Sequence, residues 1–129
     1  MKLRLEGRLP YVSVKLRYRQ AAVELDRVLV DTGSAGTVFS ADLLAPLGVE
    51  PEATDRVRRI YGVGGSEYVY SKSVEELAVG EMSVSNFEIQ VGAMRYGFPL
   101  DGIIGMDFLL ATSAVINLAK LDLHSATLL

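Results

Sequence analysis

Between Tyr11 and Arg19 the chain reads YVSVKLRYR. Val12, Val14, Leu16 and Tyr18 fall on one face of an extended chain and Ser13, Lys15, Arg17 and Arg19 on the other, the period-two pattern of a half-buried strand. Leu3, Leu5 and Leu9 suggest an earlier strand. Further strands are expected over Ala22–Val30, Arg56–Tyr61, Glu67–Ser71, Val74–Val79, Met82–Val91, Ala114–Leu118 and Leu121–Ser125, separated by glycine-rich or polar turns. Two stretches read as short helices: SADLLAPLG, with Ser40 as N-cap and Gly48 past the end, and MDFLLAT after Gly105. No repeat or low-complexity segment interrupts the pattern. Short strands at this turn spacing predict an all-β chain that closes, fully or in part, into a β-barrel.

The 129 residues suffice for one compact domain, residues 1–129, and are too few for two ordinary ones. Half of them are apolar, a high share for a small soluble monomer, which points to apolar surface covered by a partner. A second copy of the chain is the simplest partner. No apolar run approaches the roughly 20 residues of a membrane span, and MKLRLEGRLP lacks the apolar core of a signal peptide, so an intracellular, cytoplasmic protein without membrane contact is expected. With no cysteine and His124 alone, neither a thiol nucleophile nor a thiolate or histidine metal centre can form; catalysis, if any, uses other groups, and no metal or cofactor is expected. A net charge of −3 gives no case for nucleic acid. The basic residues near the start, Lys2, Arg4, Arg8, Lys15, Arg17 and Arg19, read as a solvated strand face, and Arg56, Arg58 and Arg59 likewise.

The apolar run RVLV leads directly into DTGS. Such a strand end delivers the carboxylate of Asp31, followed by Thr32, whose hydroxyl can fix backbone, by Gly33, which lets another group approach without a Cβ in the way, and by Ser34, whose hydroxyl is expected to reach the carboxylate. Alone the tetrapeptide could equally be an ordinary strand-to-turn exit. Two further stretches change that balance. RIYGVGGSEYVY, with Gly62, Gly64 and Gly65, reads as a long β-hairpin with a glycine tip. It has neither the lysine nor the following helix of a phosphate loop. DGIIGMDFL places Ile103 and Ile104 before Gly105 and a short helix.

In this order, DTGS, a glycine-tipped hairpin, and IIG followed by a helix, the chain resembles the retropepsin-like aspartic proteases over nearly its whole length. The resemblance implies a role for each matching position. Asp31 would be the catalytic aspartate, Thr32 the residue whose hydroxyl interlocks two active-site loops, Gly33 and Ser34 the rest of that loop. Tyr61, Gly62, Val63, Gly64 and Gly65 would form the flap that closes over a peptide, and Ile103, Ile104 and Gly105 the element packed beneath the aspartate loop. The C-terminal AVINLAKLDLHS looks like the paired strands through which the retroviral-type domains of ubiquitin-shuttle proteases dimerise. One departure stands out: the Asp and Arg that form an ion pair in retroviral members are here Ala35 and Met106, both lost together, so no buried charge is left unpaired.

Peptide hydrolysis without a metal needs a base for water and an acid for the carbonyl and the leaving amine, roles that two aspartates sharing a proton can fill. The chain has a single Asp-Thr-Gly; Asp101, Asp107 and Asp122 are each followed by other residues. The resemblance therefore implies an aspartic endopeptidase that is a homodimer, with two Asp31 carboxylates side by side and a peptide or protein as substrate. The alternative is a catalytically inactive member that binds or assembles proteins. Tyr61, Tyr68, Tyr70 and Tyr96 are candidates to line a cleft, though strand tyrosines more often pack with a solvated hydroxyl.

Overall fold

The computed structural model describes residues 1–62 and 65–127. Val63 and Gly64, at the centre of the expected flap, lie outside the described residues. In chain order the strands are β1 (Arg4–Glu6), β2 (Leu9–Tyr18), β3 (Ala21–Val30), β4 (Val38–Ser40), β5 (Val57–Gly62), β6 (Gly65–Val79), β7 (Met82–Gly92), β8 (Gly102–Ile104), β9 (Ala114–Asn117) and β10 (Asp122–Ser125). Helix α1 (Ala41–Leu44), extended by a single 3-10 turn (Ala45–Leu47), follows β4, and α2 (Met106–Ala111) follows β8. None of these helices is long and apolar enough to cross a membrane.

Eight strands form one sheet in the order β1-β2-β3-β8-β4-β7-β6-β5. Lys15–Arg17 of β2 also pair with Glu76–Ala78 of β6, so the sheet returns on itself as a ring of six strands. The alternation read from the sequence drives this closure: Val12, Val14, Leu16 and Tyr18 are all buried inside the ring while Lys15, Arg17 and Arg19 are exposed. β9 and β10 form a separate antiparallel hairpin. The first residues run along β10, with the Leu3 N–H on the Leu121 carbonyl at 2.8 Å and the Leu123 N–H on the Met1 carbonyl at 2.9 Å.

Two apolar clusters result. The larger fills the ring and includes Val28, Val30, Phe39, Leu77, Ile89, Ile104 and Phe108. The smaller contains Tyr11, Leu29, Val38, Val69, Met94, Leu100 and Ile103, with Ile60 and Tyr96 packed against it. Neighbouring residues of β3 and β8 divide between them: Val28, Val30 and Ile104 enter the large cluster, Leu29 and Ile103 the small one. This is the two-faced consequence of strand geometry.

The expected chain of many short strands and two short helices is present, with three differences. β4 and β8 were not separate strands in the sequence reading, because three residues such as VFS or GII are too short to alternate. The two strands expected over Glu67–Ser71 and Val74–Val79 are one 15-residue strand, β6. Ser40 precedes α1 as expected but makes no side-chain cap, whereas Gly48 adopts the left-handed conformation (φ 86°) that ends the turn.

Lys72 lies between the two strands expected there. A lysine in mid-strand reads as a turn to solvent, yet this one is 6 % exposed, and its Nζ donates to Glu52 Oε1 at 2.6 Å and Asp55 Oδ2 at 2.7 Å. The loop between α1 and β5 thus arrives with two carboxylates to satisfy a cation that the sheet has buried. Burial alone would push the Lys72 ammonium down, but the hydrogen bonds it donates to Asp55 and Glu52 outweigh it and hold it above the ordinary lysine value. The Lys72 hydrogen bond in turn holds both carboxyls below theirs. Lowered carboxyls stabilise the fold above the ordinary carboxylate range and cease to do so as pH falls through their folded values; the raised ammonium stabilises below the ordinary lysine range and ceases to do so at high pH. The cluster should therefore act fully between about pH 5 and pH 10. Urea denaturation at pH 3 to 7 is expected to show stability falling on the acid side, and Lys72→Met should flatten that fall; an unchanged acid slope would mean that the cluster does not contribute.

Candidate active site

Asp31 is the first residue beyond β3. Its backbone is fixed by the parallel neighbour β8, whose Ile104 carbonyl accepts the Asp31 N–H at 2.9 Å. The chain then turns tightly: the Ser34 N–H reaches the Asp31 carbonyl at 3.2 Å, and the Gly33 N–H donates to Asp31 Oδ1 at 2.9 Å. A Cβ on Gly33 would stand 3.2 Å from that same oxygen, so glycine keeps the carboxylate free to be approached. The Ser34 hydroxyl does not reach the carboxylate as the sequence suggested. It donates to the Gly36 carbonyl at 2.7 Å, because the turn aims it forward along the loop, and the carboxylate is oriented instead by main chain. Thr32 is exposed at the tip of the turn.

Beneath the loop lies the start of α2. The Met106 N–H donates to the Ser34 carbonyl at 2.8 Å and the Asp107 N–H to the Ala35 carbonyl at 3.2 Å, so donors that a helix leaves unpaired at its first turn are satisfied by the aspartate loop. This requires backbone against backbone. A Cβ on Gly105 would sit 2.3 Å from the Gly36 oxygen and 2.8 Å from the Ser34 oxygen. The predicted Ile103-Ile104-Gly105 element is thus brought under Asp31: Ile104 by its carbonyl, Gly105 by its missing side chain, and Ile103 on the cleft side.

The sequence reading missed a second tie. Thr37, fully buried, donates its hydroxyl to Asp107 Oδ1 at 2.7 Å and accepts the Gly105 N–H at 3.1 Å, while its own N–H reaches Asp107 Oδ2 at 3.2 Å. Where retroviral-type members would use an ion pair, Ala35 and Met106 contribute main-chain hydrogen bonds and the Thr37–Asp107 pair supplies the side-chain link. The acidic side chain in the first turn of α2 was visible in the sequence, but its partner, 70 residues away, was not.

Asp31, Gly33 and Ser34 open into a cleft of about 450 Å³. Its apolar part is made by Leu29, Val38 and Ile103 with Leu100 and Phe98; the β5–β6 hairpin borders it through Ile60, Tyr61, Gly65, Ser66 and Glu67; Arg95 and Tyr96 complete the wall. Of the flap residues expected from the sequence, Tyr61 and Gly65 line the cleft, and Gly62 pairs with Gly65 at the last described rung of the hairpin. Gly65 has φ 116°, a conformation that favours glycine. Of the four candidate tyrosines, Tyr61 and Tyr96 line the cleft; Tyr68 and Tyr70 do not. Tyr61 and Tyr68 both lie against the Arg59 guanidinium, 5.4 and 5.8 Å from its carbon. Arg95, Phe98 and Leu100 went unrecognised because the 93–101 segment has no periodicity to place its side chains, and Glu67, on a strand that was expected, because its partners lie 27 and 29 residues away. The Tyr96 hydroxyl donates to Glu67 Oε1 at 2.9 Å; burial, then that carboxylate, pushes the hydroxyl above its ordinary range, so Tyr96 remains a neutral donor.

The site is thus an oriented aspartate on a loop that rests on a helix start, facing a cleft beside a β-hairpin. A family model described as aspartyl protease matches residues 14–108, from within β2 into α2, and the chain belongs to this family, on the retropepsin-like pattern. No curated protein sequence matches it.

Two substitutions test the support under the loop. Thr37→Val keeps the shape but leaves the buried Gly105 N–H without its acceptor and removes one of the two hydrogen bonds on Asp107 Oδ1, the other coming from the Phe108 N–H, and should cost about 1–3 kcal/mol of stability in chemical denaturation. Gly105→Ala meets backbone that no rotamer change can move, and should yield a protein that unfolds or loses the ordered loop, read from amide exchange at residues 31–37; a well-folded Gly105→Ala protein with the loop unaltered would contradict this packing.

Proposed function

We propose that the protein is an aspartic endopeptidase whose working form is a homodimer with two Asp31 carboxylates in contact. The observation that carries this reading is the Asp31 carboxylate itself, held by the Gly33 N–H in a cleft where, among the described residues, the other carboxylate is Glu67, already engaged by Tyr96 and the Met94 N–H. One chain therefore supplies one catalytic acid, and the second comes from a second copy. The exposed Thr32 beside Asp31 suits a contact between two such loops. Large apolar side chains left exposed on β1, β2, α2, β9 and the turn after it, Leu5, Leu9, Leu110, Val115 and Leu118, favour a partner as well.

In that dimer the pair shares one proton. The ionised carboxylate takes a proton from a water molecule as its oxygen adds to the scissile carbonyl carbon, and the protonated carboxyl donates to the carbonyl oxygen. Proton transfer to the amide nitrogen then lets the C–N bond break, leaving a carboxylic acid and an amine, with the pair returned to its starting state. The loop clamp keeps each carboxylate from drifting, which is the positional demand of such catalysis. The β5–β6 hairpin serves as the flap, and the apolar cleft wall receives a substrate side chain.

Three outcomes are expected. Sedimentation should show a dimer, and dilution through its dissociation range should lower activity with second-order dependence on concentration. Asp31→Asn should keep the dimer and reduce kcat by about a thousandfold or more, since the amide cannot act as base. The rate should rise and fall with pH as a touching pair of carboxylates passes through its singly protonated form. An Asp31→Asn protein that cleaves peptides as fast as the parent would overturn the proposal; a parent that binds peptides but cleaves none would make this a binding module.

A further inference from the structure

The β5–β6 hairpin is carried by only part of the sheet. β6 pairs with β7 from Tyr70, opposite Val91, through to Val79, but residues 65–69 of β6 pair with β5 alone. Beyond Tyr70 the hairpin is a two-stranded ribbon, a form that has little stability of its own. Glu67 lies within this ribbon, three residues past the last pairing with β7. Its carboxylate leaves the ribbon and crosses to the opposite wall of the cleft, where Oε1 accepts the Tyr96 hydroxyl at 2.9 Å and Oε2 accepts the Met94 N–H at 3.3 Å. The receiving side is buried: Met94 is 5 % exposed and belongs, with Leu100 and Ile103, to the apolar cluster under the cleft, which Val69 at the base of the ribbon also enters. Room for the crossing comes from Gly92, where a Cβ would stand 2.8 Å from Val69 Cγ1 and 3.3 Å from Glu67 Oε1.

We propose that Glu67 is a strut between the hairpin and the 93–101 segment, setting the height of the hairpin above Asp31, and that Glu67 and Tyr96 are positioning residues for peptide binding. The geometry ties one arm of the hairpin to the 93–101 wall, so that beyond the packing of Val69 and Ile60 the hydrogen bonds to Tyr96 and Met94 fix how far the arm stands from the cleft floor. A charged acceptor on two donors is stronger than a neutral pair, which suits a link that must hold a ribbon with no other sheet neighbour. Loss of the strut frees the arm without touching Asp31 or the loop that holds it.

This inference rests on the proposed protease reading for its effect on substrate, but the strut can be tested without any hydrolysis. Hydrogen–deuterium exchange of the parent, Tyr96→Phe, Glu67→Ala and Glu67→Gln proteins would follow the amides of residues 57–62 and 65–69 and of Met94. Tyr96→Phe and Glu67→Ala should raise exchange there by about tenfold, the scale of one hydrogen bond to a charged group, with Glu67→Gln between them and the parent because it keeps one acceptor. Amides of residues 28–31 and 102–104 serve as the internal control and should not change. With a peptide substrate, the same variants should raise KM by about three- to tenfold with a smaller change in kcat, the signature of lost binding rather than lost chemistry. Unchanged hairpin exchange in both Tyr96→Phe and Glu67→Ala would overturn the strut, and faster exchange with unchanged KM would overturn its role in peptide binding. Should the parent cleave no peptide, the protease reading fails, while the exchange data still decide whether the strut exists.

Discussion

Everything about the site depends on one close approach, the backbone of Gly105 against the carbonyls of Ser34 and Gly36. That contact lets the first N–H groups of α2 reach the aspartate loop, and those hydrogen bonds stop the loop after Asp31 from relaxing into an ordinary turn. The parallel pairing of β3 with β8 brings the two segments together; the missing Cβ lets them touch. A strained or mobile loop would present a carboxylate as well, but without a defined direction, and acid-base chemistry on a bound peptide is intolerant of an ångström of drift.

The link between loop and helix also shows how one fold requirement admits different chemistry. An ion pair in this place would be a charged bridge within a crowded, partly buried region, and both its members would have to be present. Here Asp107, in the first turn of α2, takes the Thr37 hydroxyl and N–H, and the same hydroxyl satisfies Gly105. A hydroxyl that donates to a carboxylate and accepts from a main-chain N–H leaves none of the three groups unpaired, so one neutral side chain bridges both elements. Lys72 with Glu52 and Asp55 is the opposite solution, a full charge accepted inside the sheet and matched by a loop.

The strands with clear alternation were legible because their two faces meet different solvents: β2, β3, β7 and most of β6 follow directly from the residues. Asp31 with Gly33, the glycine hairpin and the Ile-Ile-Gly element were legible because each demands an unusual residue at one point. What stayed hidden depends on the third dimension alone. The strands β4 and β8 are three residues long and owe their pairing to neighbours distant in the chain. The burial of Lys72 could not be read without the loop that covers it, and the direction of the Ser34 hydroxyl turned on one torsion rather than on residue type. The 93–101 segment lines the cleft through irregular backbone, which carries no period from which a facing could be inferred.

The division of β3 and β8 between two apolar clusters has a consequence for how such a protein can diverge. Leu29 and Ile103 face the cleft, whereas Val28, Val30 and Ile104, their immediate neighbours, fill the ring. The residues that shape what the cleft accepts are thus interleaved with those that keep the chain folded, yet they point away from them. Exchange of one hydrophobic side chain for another at positions 29 or 103 would be absorbed in the smaller cluster, leaving the interior of the ring as it is. The shape of the cleft and thermodynamic stability can then drift independently along the same two strands, and a lineage could remodel what the cleft admits without first rebuilding its core.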